Sequence, residues 1–218
     1  MIKVINCNNS NFTKKLTILL EKRRQVKRYD TKIVSSIIND IKKNKIKALL
    51  KYEKKFSKNK NIKPSKIQIN TAIKKLDPKV KKAIDFAYDR ILKFHSIQLK
   101  NLKNIIYKDK FKNKLEYRNV PIESVGIYVP GNLPSTLLMI SIPAKLAKVK
   151  RLVLATPKIN GNLNPAVLYV AKKIGIKEIY SFGGPQAIAS LAYIQKVNKI
   201  LGPGNRFVAE AKRQLSGK

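Results

Sequence analysis

The sequence predicts an α/β protein built in two unlike parts, a helical region followed by a parallel sheet made of βα units. Three observations carry this. All nine glycines lie at or beyond Gly126, and eight of the ten prolines lie beyond Val120. Before that point few positions can take a positive φ, which suits helices joined by short polar turns. After it, short apolar runs alternate with helical patterns over close connections, as in parallel strands joined by right-handed crossovers. The expected boundaries are 1–119 for the helical N-terminal region and 120–218 for a Rossmann-like half-domain. With 218 residues, 44% of them hydrophobic, the chain is long enough to bury a core.

In the first part, Ser10 is placed to cap a helix running to about Arg28, and Asp30 to cap the next. Ile33, Ile37, Ile38 and Ile41 mark one face of that second helix. After a break near Asn44, Ile46, Leu49, Leu50 and Phe56 continue the stripe. Asp77-Pro78 joins an N-cap to a proline at the first helical position. Behind it Val80, Ile84, Ala87, Ile91 and Phe94 line one side. Residues 105–107 and 115–120 read as short extended pieces. In the second part, strands are expected at 125–129, 151–155, 178–182 and 199–201. Helices follow each of them. They are placed at 135–148 with a kink at Pro143, at 165–174 between an Asn164 cap and a Gly175 stop, at 186–193 and at 206–215.

The formal charge of +36 invites a nucleic-acid partner, because clustered cations neutralise phosphates. The composition argues otherwise. Lys outnumbers Arg 40 to 8, although Arg is the better fork for phosphate and guanine. Enrichment in Lys, Ile, Asn, Tyr and Phe follows AT-rich codons, and the basic residues run through both parts. A solvated lysine-rich surface is the favoured reading over nucleic-acid binding. No apolar run approaches the roughly 20 residues that span a bilayer. The first residues lack a basic, apolar and small-residue sequence of the signal-peptide type. A cytoplasmic location is therefore expected.

Cys7 and His95 are the sole cysteine and histidine, which excludes a disulfide framework and an ordinary zinc site from these residues. His95 reads as a packed, hydrogen-bonded structural histidine and Cys7 as an inert thiol. Glu123, Glu178 and Glu210 are the only acids beyond residue 119, too few for a carboxylate pair. No catalytic residue and no metal ligand is assigned.

Each expected strand ends in a loop rich in glycine or proline: Pro130-Gly131-Asn132-Leu133-Pro134, residues 157–161, Gly183-Gly184-Pro185-Gln186, and Gly202-Pro203-Gly204-Asn205. Carboxyl-end loops of a parallel sheet share one edge, where ligands bind. Helix N-termini behind them offer free amides to a phosphate. No standard nucleotide fingerprint is met, since Gly202-Pro203-Gly204-Asn205-Arg206-Phe207 lacks the third glycine of G-x-G-x-x-G. On residue chemistry alone these loops are as compatible with turns as with a nucleotide site.

The same loops carry a resemblance. Val125-Gly126-Ile127-Tyr128-Val129-Pro130-Gly131, Pro134-Ser135-Thr136, Ile142-Pro143-Ala144, Gly183 to Tyr193, Lys199 to Asn205 and Phe207 to Gln214 are similar to the histidinol dehydrogenase family. The motifs keep their order over the second part, while the helical part fits the family's N-terminal region more loosely. The resemblance implies oxidation of L-histidinol to L-histidine through an aldehyde, by two NAD-dependent hydride transfers that end histidine biosynthesis. It implies that NAD is contacted by Tyr128, Gln186 and Asn205, and that the full-length enzyme is a homodimer. It also implies a zinc held by a glutamine, an aspartate and two histidines, and a Glu-His proton-transfer pair, all from a half that follows the matched motifs. The loops around Gly131 to Pro134 and Tyr193 to Lys196 are a few residues shorter than the family's. The expectation is an N-terminal portion, whether truncated, completed by a second polypeptide or a decayed remnant, and inactive alone. Two alternatives are a nucleotide-binding module without catalysis and, on charge alone, a nucleic-acid binder.

Overall fold

In the computed structural model, which describes residues 4–24, 28–99 and 103–217, helix α1 (Phe12–Arg24) comes first. Helix α2 (Arg28–Ser57) is broken at Lys45, where φ is 48° and ψ is −124°. Asp40 ties the two segments together, accepting hydrogen bonds from Asn44 (2.7 Å), Lys51 (3.0 Å) and Tyr52 (2.9 Å). Helix α3 (Lys66–Lys74) opens on a capping box in which Ser65 and Gln68 satisfy each other's backbone amides. Helix α4 (Pro78–Leu99) follows, then an antiparallel pair, β1 (Ile105–Lys108) and β2 (Lys114–Tyr117). The βα units are β3 (Ser124–Tyr128), α5 (Pro134–Leu146), β4 (Arg151–Ala155), α6 (Pro165–Ile174), β5 (Glu178–Tyr180), α7 (Gly184–Tyr193), β6 (Lys199–Leu201) and α8 (Arg206–Leu215).

The four strands β3 to β6 are parallel, in the order β5-β4-β3-β6. The chain steps from β3 to β4 to β5, then crosses back to lay β6 on the other side of β3. This is the α/β architecture that the glycine distribution and the alternating pattern predict. Side chains leave the sheet alternately. Val125, Ile127, Leu154 and Ile179 enter one core with α5 and α6. Tyr128, Val153 and Ala155 enter another with α7 and α8. Strand β3 is buried along its whole length, as a parallel strand covered on both faces must be.

Helices α2, α3 and α4 form an outer layer over both faces. Helix α2 lies on α7 and α8, while α3 lies on α6 and α4 on α5 and α6. Val34, Ile37, Ile38 and Ile41 are buried as the helical spacing predicts. The break expected near Asn44 is the kink at Lys45, but beyond it a different face of the helix is the buried one. Ile46, Leu50 and Phe56 are exposed, while Ala48, Leu49, Tyr52 and Glu53 are buried.

Smaller differences have local causes. Helix α2 begins at Arg28, ahead of Asp30, so Asp30 is not its cap. The expected end of the first helix falls partly on 25–27, outside the described residues. Strand β5 stops at Tyr180, and α7 starts at Gly184 because extended Gly183 serves as its N-cap. The 105–107 piece pairs with the start of the 115–120 piece as β1 and β2, and the second strand ends at Tyr117. His95 is half-buried and its Nδ1 lies 2.6 Å from Gln98 Oε1. Among the described residues no helix is long and apolar enough to cross a membrane.

Candidate functional site

The parallel strands deliver their loops to one edge, and glycines let them touch there. A Cβ on Gly131 would lie 2.7 Å from the Pro157 carbonyl, and one on Gly183 would lie 2.8 Å from Pro157 Cβ. These contacts join the loops after β3, β4 and β5. A Cβ on Gly202 would fall 1.8 Å from the Tyr128 carbonyl, and Gly202 holds φ at +126°. Only glycine fits there. Between β3 and β6 the strand order reverses, and ligands of open α/β sheets bind in the crevice at such a switch point.

The three residues assigned to NAD contact by resemblance lie along this edge. Tyr128 ends β3, is 6% exposed, and accepts a hydrogen bond at its hydroxyl from Gly184 N–H at 3.3 Å. Burial pushes its phenol up. Gln186 sits in the first turn of α7, is 2% exposed, and donates through Nε2 to Glu53 Oε1 at 2.9 Å. Its Oε1 has no hydrogen-bond partner. Asn205 is exposed and caps α8, accepting from Phe207 and Val208 N–H at 3.1 Å each. The site brings Tyr128 and Gln186 to either side of Gly184, and Asn205 into the loop that Gly202 presses against Tyr128.

Glu53 is the residue that sequence reasoning missed. It comes from α2, is fully buried, and its Oε1 accepts from both Gln186 and Gly183 N–H (3.1 Å). Burial pushes its carboxyl above the ordinary 4.5, against the donors from Gln186 and Gly183. An acid four residues after Leu49, on the buried face of a lysine-rich helix, was the available signal. No acid follows β4, where dinucleotide folds commonly hold the ribose; Thr156-Pro157-Lys158 stand there instead. Lys158 is turned away to Asn59 Oδ1 (2.9 Å) and the Asn61 carbonyl (3.2 Å). Beside it a cleft of about 510 Å³ opens between α3 and the β4–α6 loop, with Ile67, Thr71, Lys75 and Leu163 in its wall.

The histidinol dehydrogenase family model matches residues 20–218. The chain belongs to that family. It is 58% identical to a histidinol dehydrogenase of Pelagibacter ubique over 100% of this chain and 52% of that one. Identity to a histidinol dehydrogenase of Campylobacter jejuni is 45%, over 85% of this chain and 44% of the relative. The crystal structure of histidinol dehydrogenase from Elizabethkingia anophelis superposes with a TM-score of 0.78 at 41% identity, covering 84% of this chain and 44% of that one. The chain therefore spans about half the length of the relatives it matches. Their similarity runs through the helices and the βα units alike, so the helical region is also part of the family's fold.

Proposed function

We propose that this chain is the NAD-side portion of a histidinol-oxidising enzyme, with Tyr128, Gln186 and Asn205 as its cofactor contacts. The observation that supports this best is the β3–β6 switch point, where the loop after β6 packs so closely on the Tyr128 carbonyl that only glycine fits at position 202. The donor set fits a dinucleotide. Gln186 offers a buried, unpartnered acceptor, and the loops present backbone to a ligand. When bound, NAD supplies the hydride acceptor; Tyr128 shields it from water, while Gln186 and Asn205 hold its polar groups. L-histidinol is the proposed substrate, in the cytoplasm.

Zinc does not fit the residues at hand, since no three of His, Cys, Asp and Glu come together among the described residues. We assign the zinc and the proton transfers to the part of the relatives that this chain does not span. That part would come from the same polypeptide or from a second one, in a homodimeric enzyme. Residues 1–119 and 120–218 are proposed as the two structural units. The 218-residue chain should show no histidinol turnover with NAD and zinc supplied; turnover by the pure chain would contradict the assignment.

Calorimetric titration of NAD into the full chain tests the cofactor site. One lost hydrogen bond costs about 0.5–1.5 kcal/mol, so Gln186→Ala and Asn205→Ala should each weaken binding severalfold. Lys82→Ala, on an exposed position of α4, should leave it unchanged. Binding that ignores both amides and vanishes with salt would mean nonspecific phosphate attraction instead.

A further inference from the structure

The first turn of α7 is held by a group from far along the chain. Glu53 Oε1 takes the Gly183 N–H and the Gln186 Nε2 together, at 3.1 and 2.9 Å, while Glu53 is wholly buried. An anion at a helix N-terminus is a favourable placement, and in dinucleotide folds it is the position a phosphate occupies. Here a carboxylate of the protein occupies it. The same contact fixes the polarity of the glutamine amide. With its NH2 directed at Glu53, Gln186 keeps one unspent hydrogen-bonding atom, Oε1, which lies against Gly184 and has no partner.

We propose that Glu53 is a positioning residue for the cofactor edge. By fixing the Gln186 amide with its carbonyl unspent, it makes this turn of α7 recognise a hydrogen-bond donor of the dinucleotide rather than its phosphates. Such donors are a ribose hydroxyl or a carboxamide NH2. This rests on the NAD reading above. The acid spares Gly183 N–H and Gln186 Nε2 from being buried and unpaired, while its own Oε2 has no hydrogen-bond partner.

The experiment compares the full chain with Glu53→Gln and Glu53→Ala, following the Gln186 side-chain and Gly183 backbone amides by NMR and NAD by calorimetry. Glu53→Gln keeps a carbonyl acceptor and should keep both resonances near their places and NAD affinity within about threefold. Glu53→Ala should shift both amides and weaken NAD about tenfold, and formate diffusing into the gap should restore part of each. A purely structural role would lower the melting temperature of Glu53→Ala yet leave NAD affinity of the folded protein unchanged, and that result overturns the proposal. Amides that do not respond in either variant overturn it as well. If the wild-type chain itself binds no NAD, the dinucleotide reading falls, and with it the cofactor role of Glu53. The amide shifts then report only on the Glu53–Gln186 contact.

Discussion

The helical region and the βα region treat their apolar residues differently. Along β3 to β6 and α5 to α8, Ile127, Leu137, Leu154, Leu168 and Ile188 are fully buried, and the sheet is covered on both faces. The helices of residues 1–119 bury apolar groups where they touch that core, as Val34, Ile41 and Leu49 do on α2. Where they turn away, large groups stay in water: Phe94 is 60% exposed, Ile97 58%, and Ile105 and Tyr117 of the hairpin 61% and 63%. Among the described residues, α2, α3 and α4 thus act as cladding for the second region and build no separate core cluster. Glu53 is the exception among their contacts, because through it one of those cladding helices reaches the carboxyl edge of the sheet.

The sharpest way to break this comparison is at Gly202. Gly202→Ala places a methyl 1.8 Å from the Tyr128 carbonyl at a φ of +126°, and should cost more than about 4 kcal/mol, read by denaturant unfolding. Gly161→Ala, at a φ of +78° with nothing within 4 Å, should cost only about 1–2 kcal/mol. Equal costs would show that strain, and not the contact with β3, governs that edge.

The cladding is probed next. Leu49→Ala should cost about 2–5 kcal/mol, since the side chain is fully buried between α2 and the α7–α8 layer. Phe94→Ala should stay within about 0.5 kcal/mol. A large loss at Phe94 would mean that the helical region holds a core of its own. Asn205→Ala removes the α8 cap and should cost about 1 kcal/mol, read by denaturant unfolding.

The two acids of α2 should respond to pH with opposite signs. Asp40 is held down at about 2 by hydrogen bonds from Asn44, Lys51 and Tyr52, so its contribution is full above 3.8 and is lost as pH falls towards 2. Glu53 is raised, first by burial, so its contribution is full below 4.5 and is lost as pH rises through the raised value. Melting temperatures across pH check this. Glu53→Gln should gain on the wild type as pH rises above 4.5, and Asp40→Asn should lose ground as pH rises from 2 to 3.8. Parallel trends would contradict the burial of Glu53.

Local chemistry made much of this legible in sequence. Asn164 and Gly175 bracket α6 as read, with the asparagine accepting from Ala166 N–H and the glycine in the left-handed conformation. Helix α3 stands outside the sequence expectations, although the Ser65–Gln68 capping box that opens it is a local signal of the same kind. The glycine loops pointed to the edge where Tyr128, Gln186 and Asn205 lie. What sequence could not carry was pairing over distance. Glu53 and Gln186 are 133 residues apart, and neither signals the other. Nor do the apolar positions beyond the break near Asn44 single out one face by themselves: Leu49 is buried as expected, while Ile46 and Phe56 stand outside.

Amide exchange on the full chain, with and without NAD, distinguishes the carboxyl edge of the sheet from every other surface of the molecule. NAD should slow exchange at 128–134, 183–187 and 202–208, at the carboxyl ends of β3, β5 and β6, and at Glu53 through its contact with α7. The hairpin and the outer end of α4 should exchange fast in both states. Protection spread over the lysine-rich helices, or confined to the cleft beside α3, would contradict the assignment of the cofactor edge.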